Sequence, residues 1–520
     1  MRLQQKIQVG ELNSLKRRVA ISMFMALTLL LSACGNGNGN ASTGGKENEG
    51  TEGSGGQAAR AKISIMTPLH MAETPDAKIE QLIEEKLNVD LDIQWIPAST
   101  FPDRMSAAFA TSSLTDIVNI SITGANREAI RDGQFWDISS YIDQYENLKK
   151  LNPEVLNNTK VDGKLYALYQ GRPLSRQGII YRQDWAEQLG LSDPQNLDEL
   201  YTMLEKFTNE DPDQNGQKDT VGLAERGDLV SGAFKTIASW NGTPNEWGVM
   251  DGKLAPAFMF PEYQETMEFF KKLRSNGYIN SDFPVTSKTE QQNLIMNSKA
   301  GAYIGCMCDV QQLYTGLAQL QPDAQLEVFN QVKGPSGKFT VFSGPGFNHP
   351  YLFPKSAIKT EEKLKQVLAF MDGMMSPEIA NMLYWGIENE HYTVVDGMAV
   401  PVKEQGKIDR DVKPYNTIEV GDSATNNRLE GKYDYAPMQK AQELFADNEA
   451  YVVPDPTLML DSDTFTKHKD RLAQIITDAT YNYMLGEMDE AGFNKAVERW
   501  KSEGGTQMIE EFNAAYEQNK

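Results

Sequence analysis

Cysteine is nearly absent, with three in 520 residues, at positions 34, 306 and 308. So few cysteines exclude a disulfide-stapled scaffold. Residues two apart on a strand point the same way but bridge poorly, so Cys306 and Cys308 are expected as small buried residues. Histidine is equally sparse: His70, His349, His391 and His468 are scattered, with no pair at helical ligand spacing, which disfavours zinc capture. There is no GxSxG, no P-loop and no HExxH. Glu388 and Glu390 come nearest to a carboxylate pair, but glycosidase carboxylates must straddle a bond from opposite sides. Two residues apart in one loop do not do that, so no catalytic residue is expected. Beyond residue 31 no apolar run is long enough to span a membrane.

Positive charge is also in short supply. The chain has 50 Lys and Arg against 72 Asp and Glu. Without residues 1–33 the balance is 45 basic to 71 acidic, a net charge of −26. Such a surface repels nucleic acid and anionic lipid.

The N-terminus carries the most specific local signal. Lys16, Arg17 and Arg18 precede an apolar run from Val19 to Leu31, broken only by Ser22 and Thr28. At 13 residues it is too short to span a bilayer and reads as the core of a signal peptide. Leu31-Ser32-Ala33-Cys34 resembles the bacterial lipobox, which implies cleavage before Cys34 and lipidation of its sulfur. Residues 35–56 are nearly all Gly, Asn, Ser, Thr and Glu, a composition that cannot offset its chain entropy by burial. It is expected to serve as a flexible tether. A single acyl chain holds only marginally, so firm anchoring requires a multi-chain lipid on the cysteine.

The body that follows, about 460 residues, is too long for one core and suits two large lobes. Its first third alternates elements. Lys62–Met66, Leu91–Ile96 and Asp116–Ile120 read as strands, separated by helices opening at Pro75 and near Pro102. This predicts an α/β lobe with a largely parallel sheet. Ligands bind at the carboxyl ends of such strands, placing residues 67–70 and 121–126 beside a potential cleft. Ile179-Ile180-Tyr181 opens a second unit, followed by a capping-box pattern at Asn196 and Glu199. Helical stripes then run through Leu364, Val367, Leu368 and Met371, from Phe465 to Leu485, and through Phe493, Val497 and Trp500.

One loop has metal-ligand spacing. In residues 211–222, Asp211, Asp213 and Asn215 alternate, Gly216 allows a tight turn, Gln217 can offer its carbonyl and Asp219 follows at the ninth place. These are the first five ligand positions of an EF-hand-like calcium loop, with Gly222 where the bidentate Glu would stand. A structural calcium ion is expected, its sixth protein ligand drawn from Glu210, Glu225, water or elsewhere.

Several segments in order, Val161–Ala167, Tyr181–Trp185 with Leu189–Leu191, the 211–222 loop, Asn241–Asn245 before Trp247, and Tyr384–Glu388 with His391-Tyr392, resemble the extracellular solute-binding proteins of bacterial carbohydrate ABC importers, especially the large lipoprotein branch of Gram-positive bacteria. The resemblance implies a two-lobe, periplasmic-binding-protein-like α/β fold with a hinge and an interlobe ligand cleft. It places one lobe at 61–170 plus 345–405 and the other at 171–344 plus 406–520. It also agrees with calcium in the second lobe. The expected partners are an oligosaccharide and separate permease subunits, for a monomer held to the membrane through lipid alone. A receptor for peptide or another polar solute, and a surface-anchored polysaccharide-degrading enzyme, are the alternatives.

Sugar sites combine flat apolar faces with planar polar groups. Among seven tryptophans, Trp240 beside Asn241-Gly242 and Trp385 before Gly386 are the stacking candidates. His70, Asn126, Arg172 and Asp309 are the polar candidates, each next to a predicted strand end.

Overall fold

A computed structural model describes residues 60–71, 73–122, 124–348 and 350–518. Cys34, the signal sequence and the tether lie outside the described residues.

Nine strands build the two main sheets: β1 (Ala61–Leu69), β2 (Val89–Pro97), β3 (Ile117–Asn119), β4 (Ala167–Leu168), β5 (Gln177–Arg182), β6 (Val221–Ala224), β7 (Ala300–Cys306), β8 (Leu326–Phe329) and β9 (Tyr351–Leu352). The first sheet has the order β2-β1-β3-β9-β4. β1 runs parallel to both β2 and β3, whereas β9 is antiparallel to its neighbours. The second sheet has the order β8-β5-β7-β6, with only the β7–β6 pair parallel.

Burial explains the strand pattern. Ile63, Ile65 and Met66 of β1 are buried, and the interrupting Thr67 is buried as well. A strand covered on both faces reads as a continuous apolar run because no side is left for water. The helix expected to open at Pro75 begins at Lys78. Asp76 delays it, its carboxylate accepting from the Lys78 amide at 2.8 Å in a local turn.

The resemblance motifs are largely structural devices. Val161 and Lys164 pair across a two-residue turn in which Asp162 and Gly163 both have positive φ, the geometry that Asp-Gly suits. Asn196 caps the helix Leu197–Asn209 by accepting from the Glu199 amide, and the Glu199 carboxylate reaches back to the Gln195 amide. Arg182 is buried, forks onto Asp184 at 2.8 and 2.6 Å, and lies 4.3 Å from the Trp185 ring centroid. That fork balances a charge which would otherwise be buried alone.

Two sets of core side chains correspond to the two sheets. Ile63, Ile117 and Leu168 share a core with Leu364, Val367 and Leu383. Ile179, Leu204 and Phe207 share another with Ile237, Phe270, Leu472 and Trp500. Past residue 405 apolar side chains still pack with the first core. Val412, Tyr415, Ile418 and Val420 pack into the first core, and Tyr415 meets Trp95 edge-on at 5.4 Å. The chain reaches the second sheet later, where Ala441 and Phe445 join the core around β7 and β8. This segment lacks a long helical stripe, so its apolar residues did not reveal which core they served.

The cysteine expectation also fails. Cys306 and Cys308 form a disulfide with Cα atoms 5.1 Å apart. β7 ends at Cys306 and residues 307–309 turn into a 3-10 helix, so the two are not on one strand. The turn brings them within ordinary bridging distance.

Candidate functional site

The sheets are joined by segments that run side by side. The Arg172 amide donates to Gly346 O at 2.9 Å, and the Gly344 amide to Leu174 O at 2.7 Å. The Gly421 amide reaches Tyr169 O at 2.8 Å. Asn245 secures this zone to the second lobe, its Nδ2 donating to Ser343 O and Val453 O, both at 2.9 Å. The loop after Gly242, which ends the helix Ala233–Asn241 with φ 93°, is therefore a clamp on the crossing strands.

A cavity of about 220 Å³ opens at this crossing, lined by Arg172, Arg176, Thr236, Ser239, Ser343 and Phe347 among others. Arg172 is exposed and donates to Asn348 Oδ1 at 2.6 Å. Arg176 is partly buried, and no hydrogen bond or ion pair among the described residues reaches its guanidinium. Burial lowers the proton affinity of both arginines. For Arg176 the nearby Arg172 lowers it further, while Asp309 and Tyr384 oppose the shift. Arg176 is thus near both Asp309, beyond β7, and Tyr384, in the helix Pro377–Trp385 of the first core.

Asp309 is buried, accepts from Tyr303 Oη at 2.6 Å and pairs with Lys288 at 3.1 Å. Burial and this carboxylate raise the Tyr303 phenol. Tyr384 meets Trp385 edge-on at 4.8 Å and carries the Arg428 guanidinium over its ring, 3.6 Å from the centroid. Arg428 in turn donates from Nε to the buried Glu419 at 2.7 Å.

The remaining candidates do not gather here. His70 is exposed where β1 ends. Asn126 donates to Ser121 O at 2.9 Å and holds the turn after β3. Trp240 is 1 % exposed within the second core and offers no face for stacking. The adjacent Gly242 signalled a loop, but that glycine caps a helix whose last residues are inside. Trp385 is buried and donates to Leu429 O at 2.8 Å. Sequence reasoning missed Arg176, Tyr384 and Arg428. Only Tyr384 had a signal, as the neighbour of Trp385 in the quoted motif.

The 211–222 loop is compact. Asp211 and Gln214 take positive φ, and Gly216 N donates to Asp211 Oδ2 at 3.0 Å. Asn215 Nδ2 donates to Asp213 at 2.8 Å and to Asp219 at 3.1 Å, and Lys299 pairs with Asp219. Asp211 Oδ1 is buried without a hydrogen-bond partner. Among the described residues no group of three or more His, Cys, Asp or Glu is arranged to hold a metal ion unaided. Here the Asn215 amide and the Lys299 ammonium offset the acidic charge. Glu225 is no sixth ligand, because its carboxylate accepts from the Arg226 and Ala233 amides at 2.8 and 2.7 Å.

Glu390 pairs with both Lys78 and Lys407, which lower its proton affinity. A glycosidase acid needs the opposite shift.

The family described as bacterial extracellular solute-binding protein matches residues 71–379. The chain belongs to that family. This solute-binding protein is 40 % identical over 509 residues to the polygalacturonan/rhamnogalacturonan-binding protein YtcQ of Bacillus subtilis (strain 168), covering 97 % of this chain and 99 % of the relative. Lipoprotein LipO of the same organism is 30 % identical over 467 residues, 88 % of this chain and 93 % of the relative. A crystal structure of an extracellular solute-binding protein from Bifidobacterium longum subsp. infantis superposes with a TM-score of 0.72 at 16 % identity, covering 88 % of this chain and 98 % of that one. At that identity the likeness concerns the fold, and it agrees with the two-lobe architecture. No helix among the described residues is long and apolar enough to cross a membrane.

Proposed function

We propose that this solute-binding protein captures an oligosaccharide between its lobes and delivers it to a separate ABC permease from a lipid anchor at Cys34. The observation that carries the reading is the cavity at the lobe crossing, lined by Arg172 and Arg176, with Tyr384 close enough to Arg176 to be felt electrostatically. An aromatic ring and a fork of N–H donors are what a pyranose face and its hydroxyls require. The name given to YtcQ points to a pectin-type ligand, and the name given to LipO supports the anchor. Ligand binding between the lobes favours a closed state, which the permease selects. Glu390, held ionised by two lysines, does not supply the proton a glycosidase acid must give, which supports binding over cleavage.

Calcium fits the 211–222 loop as a structural ion. Asp211, Asp213, Asn215, Gln217 and Asp219 would hold it, and the unpartnered Asp211 Oδ1 supports the assignment. The ion would contribute loop rigidity, after Asn215 turns its oxygen inward and Lys299 yields Asp219.

A thermal-shift panel of oligosaccharides and peptides tests the function. Stabilisation by a sugar, recovered unaltered by mass spectrometry, is the expected result. Stabilisation by peptides alone would overturn it, and cleaved products would establish an enzyme. For the anchor, Cys34→Ala should release the protein from membranes into the medium.

A further inference from the structure

The chain is strongly acidic, with a formal net charge of −22, yet two arginines at the lobe crossing have no anionic partner among the described residues. Some other charges near the crossing are paired, whereas the Asp422 carboxylate beside Gly171 is held by Thr425 and that of Glu449 by the Leu174 backbone. Lys235, which also lines the 220 Å³ cavity, pairs with Glu246 at 3.2 Å, and Asp309 is satisfied by Lys288 and Tyr303. Arg428 belongs to Glu419. Arg172 has only the neutral Asn348, and Arg176 has no hydrogen-bonding or ionic partner among the described residues.

A partly buried guanidinium without a counter-ion carries a desolvation cost that a carboxylate would offset through two parallel N–H···O bonds. The same cavity is lined by Phe347 and by Thr236, Ser239 and Ser343, whose hydroxyls donate to Gln177 Oε1, Thr236 O and Gly344 O and keep lone pairs with which to accept. Hydroxyls, an aromatic face and two unpaired forks suit a sugar ring bearing a carboxylate. A chain of this charge repels anionic ligands at long range, so any affinity for one must come from a local cluster of this kind.

We infer that Arg172 and Arg176 form a carboxylate subsite that selects uronic-acid residues over neutral or esterified ones, a reading that rests on the proposed oligosaccharide function. The segment between β4 and β5 supplies both arginines. The crossing segment Ser343–Phe347, hydrogen-bonded to that stretch, sets the cavity wall. Capture of the carboxylate then takes place where the lobes hinge, and charge recognition is coupled to closure.

Isothermal titration of the full chain with trigalacturonate, its methyl ester and a neutral galactotriose tests this. The acid is expected to bind on the order of tenfold to a hundredfold more tightly than the ester. Arg172→Gln with Arg176→Gln should remove that difference, so that acid and ester bind equally at whatever affinity the rest of the site retains. Arg176→Lys should retain part of it, because an ammonium keeps the charge without the fork. The wild-type comparison stands even if a variant misfolds. Equal binding of acid and ester, or preference for the neutral sugar, overturns the subsite and leaves the oligosaccharide receptor intact. Absence of binding by all three overturns both.

Discussion

Arg428 lies over the ring of Tyr384, its guanidinium carbon 3.6 Å from the centroid, while its Nε holds the buried Glu419 at 2.7 Å. One residue therefore supports an aromatic surface and neutralises a buried acid. Arg428→Met leaves Glu419 without its counter-charge and should destabilise the protein by about 3–5 kcal/mol, read from urea unfolding. Arg428→Met with Glu419→Gln should recover much of that loss. Equal stability of the single variant and the wild type would show that the pair is not buried as described.

Tyr384→Ala should weaken oligosaccharide binding by roughly 0.5–1.5 kcal/mol, the scale of one aromatic contact. Tyr384→Phe keeps the ring and should bind within about twofold of wild type in the same titration. Wild-type affinity in the alanine variant would remove Tyr384 from the site.

Lys299 pairs with Asp219, so a calcium ion in the 211–222 loop, as proposed, would have to compete with it. Lys299→Met should therefore raise calcium affinity several-fold, and Asp213→Asn should lower it, measured by calorimetry on chelator-treated protein. No heat from calcium with either the wild type or Lys299→Met would leave the loop as a hydrogen-bonded turn.

Burial pushes the Asp455 carboxyl up to about 6, against hydrogen bonds from Thr457 that oppose the shift. Its unfolded value lies near 3.9. Between these values the native state holds a proton that the unfolded chain has released. This carboxyl's contribution to stability is therefore greatest at low pH and falls as pH rises from about 4 to 6. The residue is only partly buried, so water screens the effect to about 1–2 kcal/mol. Asp455→Asn keeps an acceptor for Thr457 and should flatten that part of the curve of unfolding midpoint against pH. A variant whose midpoint follows the wild type across this window would place the proton elsewhere.

The Cys306–Cys308 bridge predicts that neither thiol labels with iodoacetamide in folded protein until a reductant is added. Its small loop limits the stabilisation to about 1–2 kcal/mol on the chain-entropy model, so Cys306→Ser with Cys308→Ser should still fold. Labelling of both sulfurs without reductant would contradict the bridge.

The sequence by itself determined the local elements. β1, β2 and β3, the helical stripe through Leu364 and Met371 and the cap at Asn196 are legible because burial periodicity and capping act within a few residues of the chain. The spacing of Asp211, Asp213 and Asn215 was equally readable. The tertiary structure decided what depends on distant segments meeting: the placement of Tyr415 in the first core, the burial of Trp240, the turn that joins Cys306 to Cys308, and the approach of Arg176 to Tyr384. In the sequence Arg176 and Tyr384 are about 200 residues apart, and neither has a local pattern that marks it. Their relation comes from the fold, because it depends on the hydrogen-bonded crossing segments that join the two sheets.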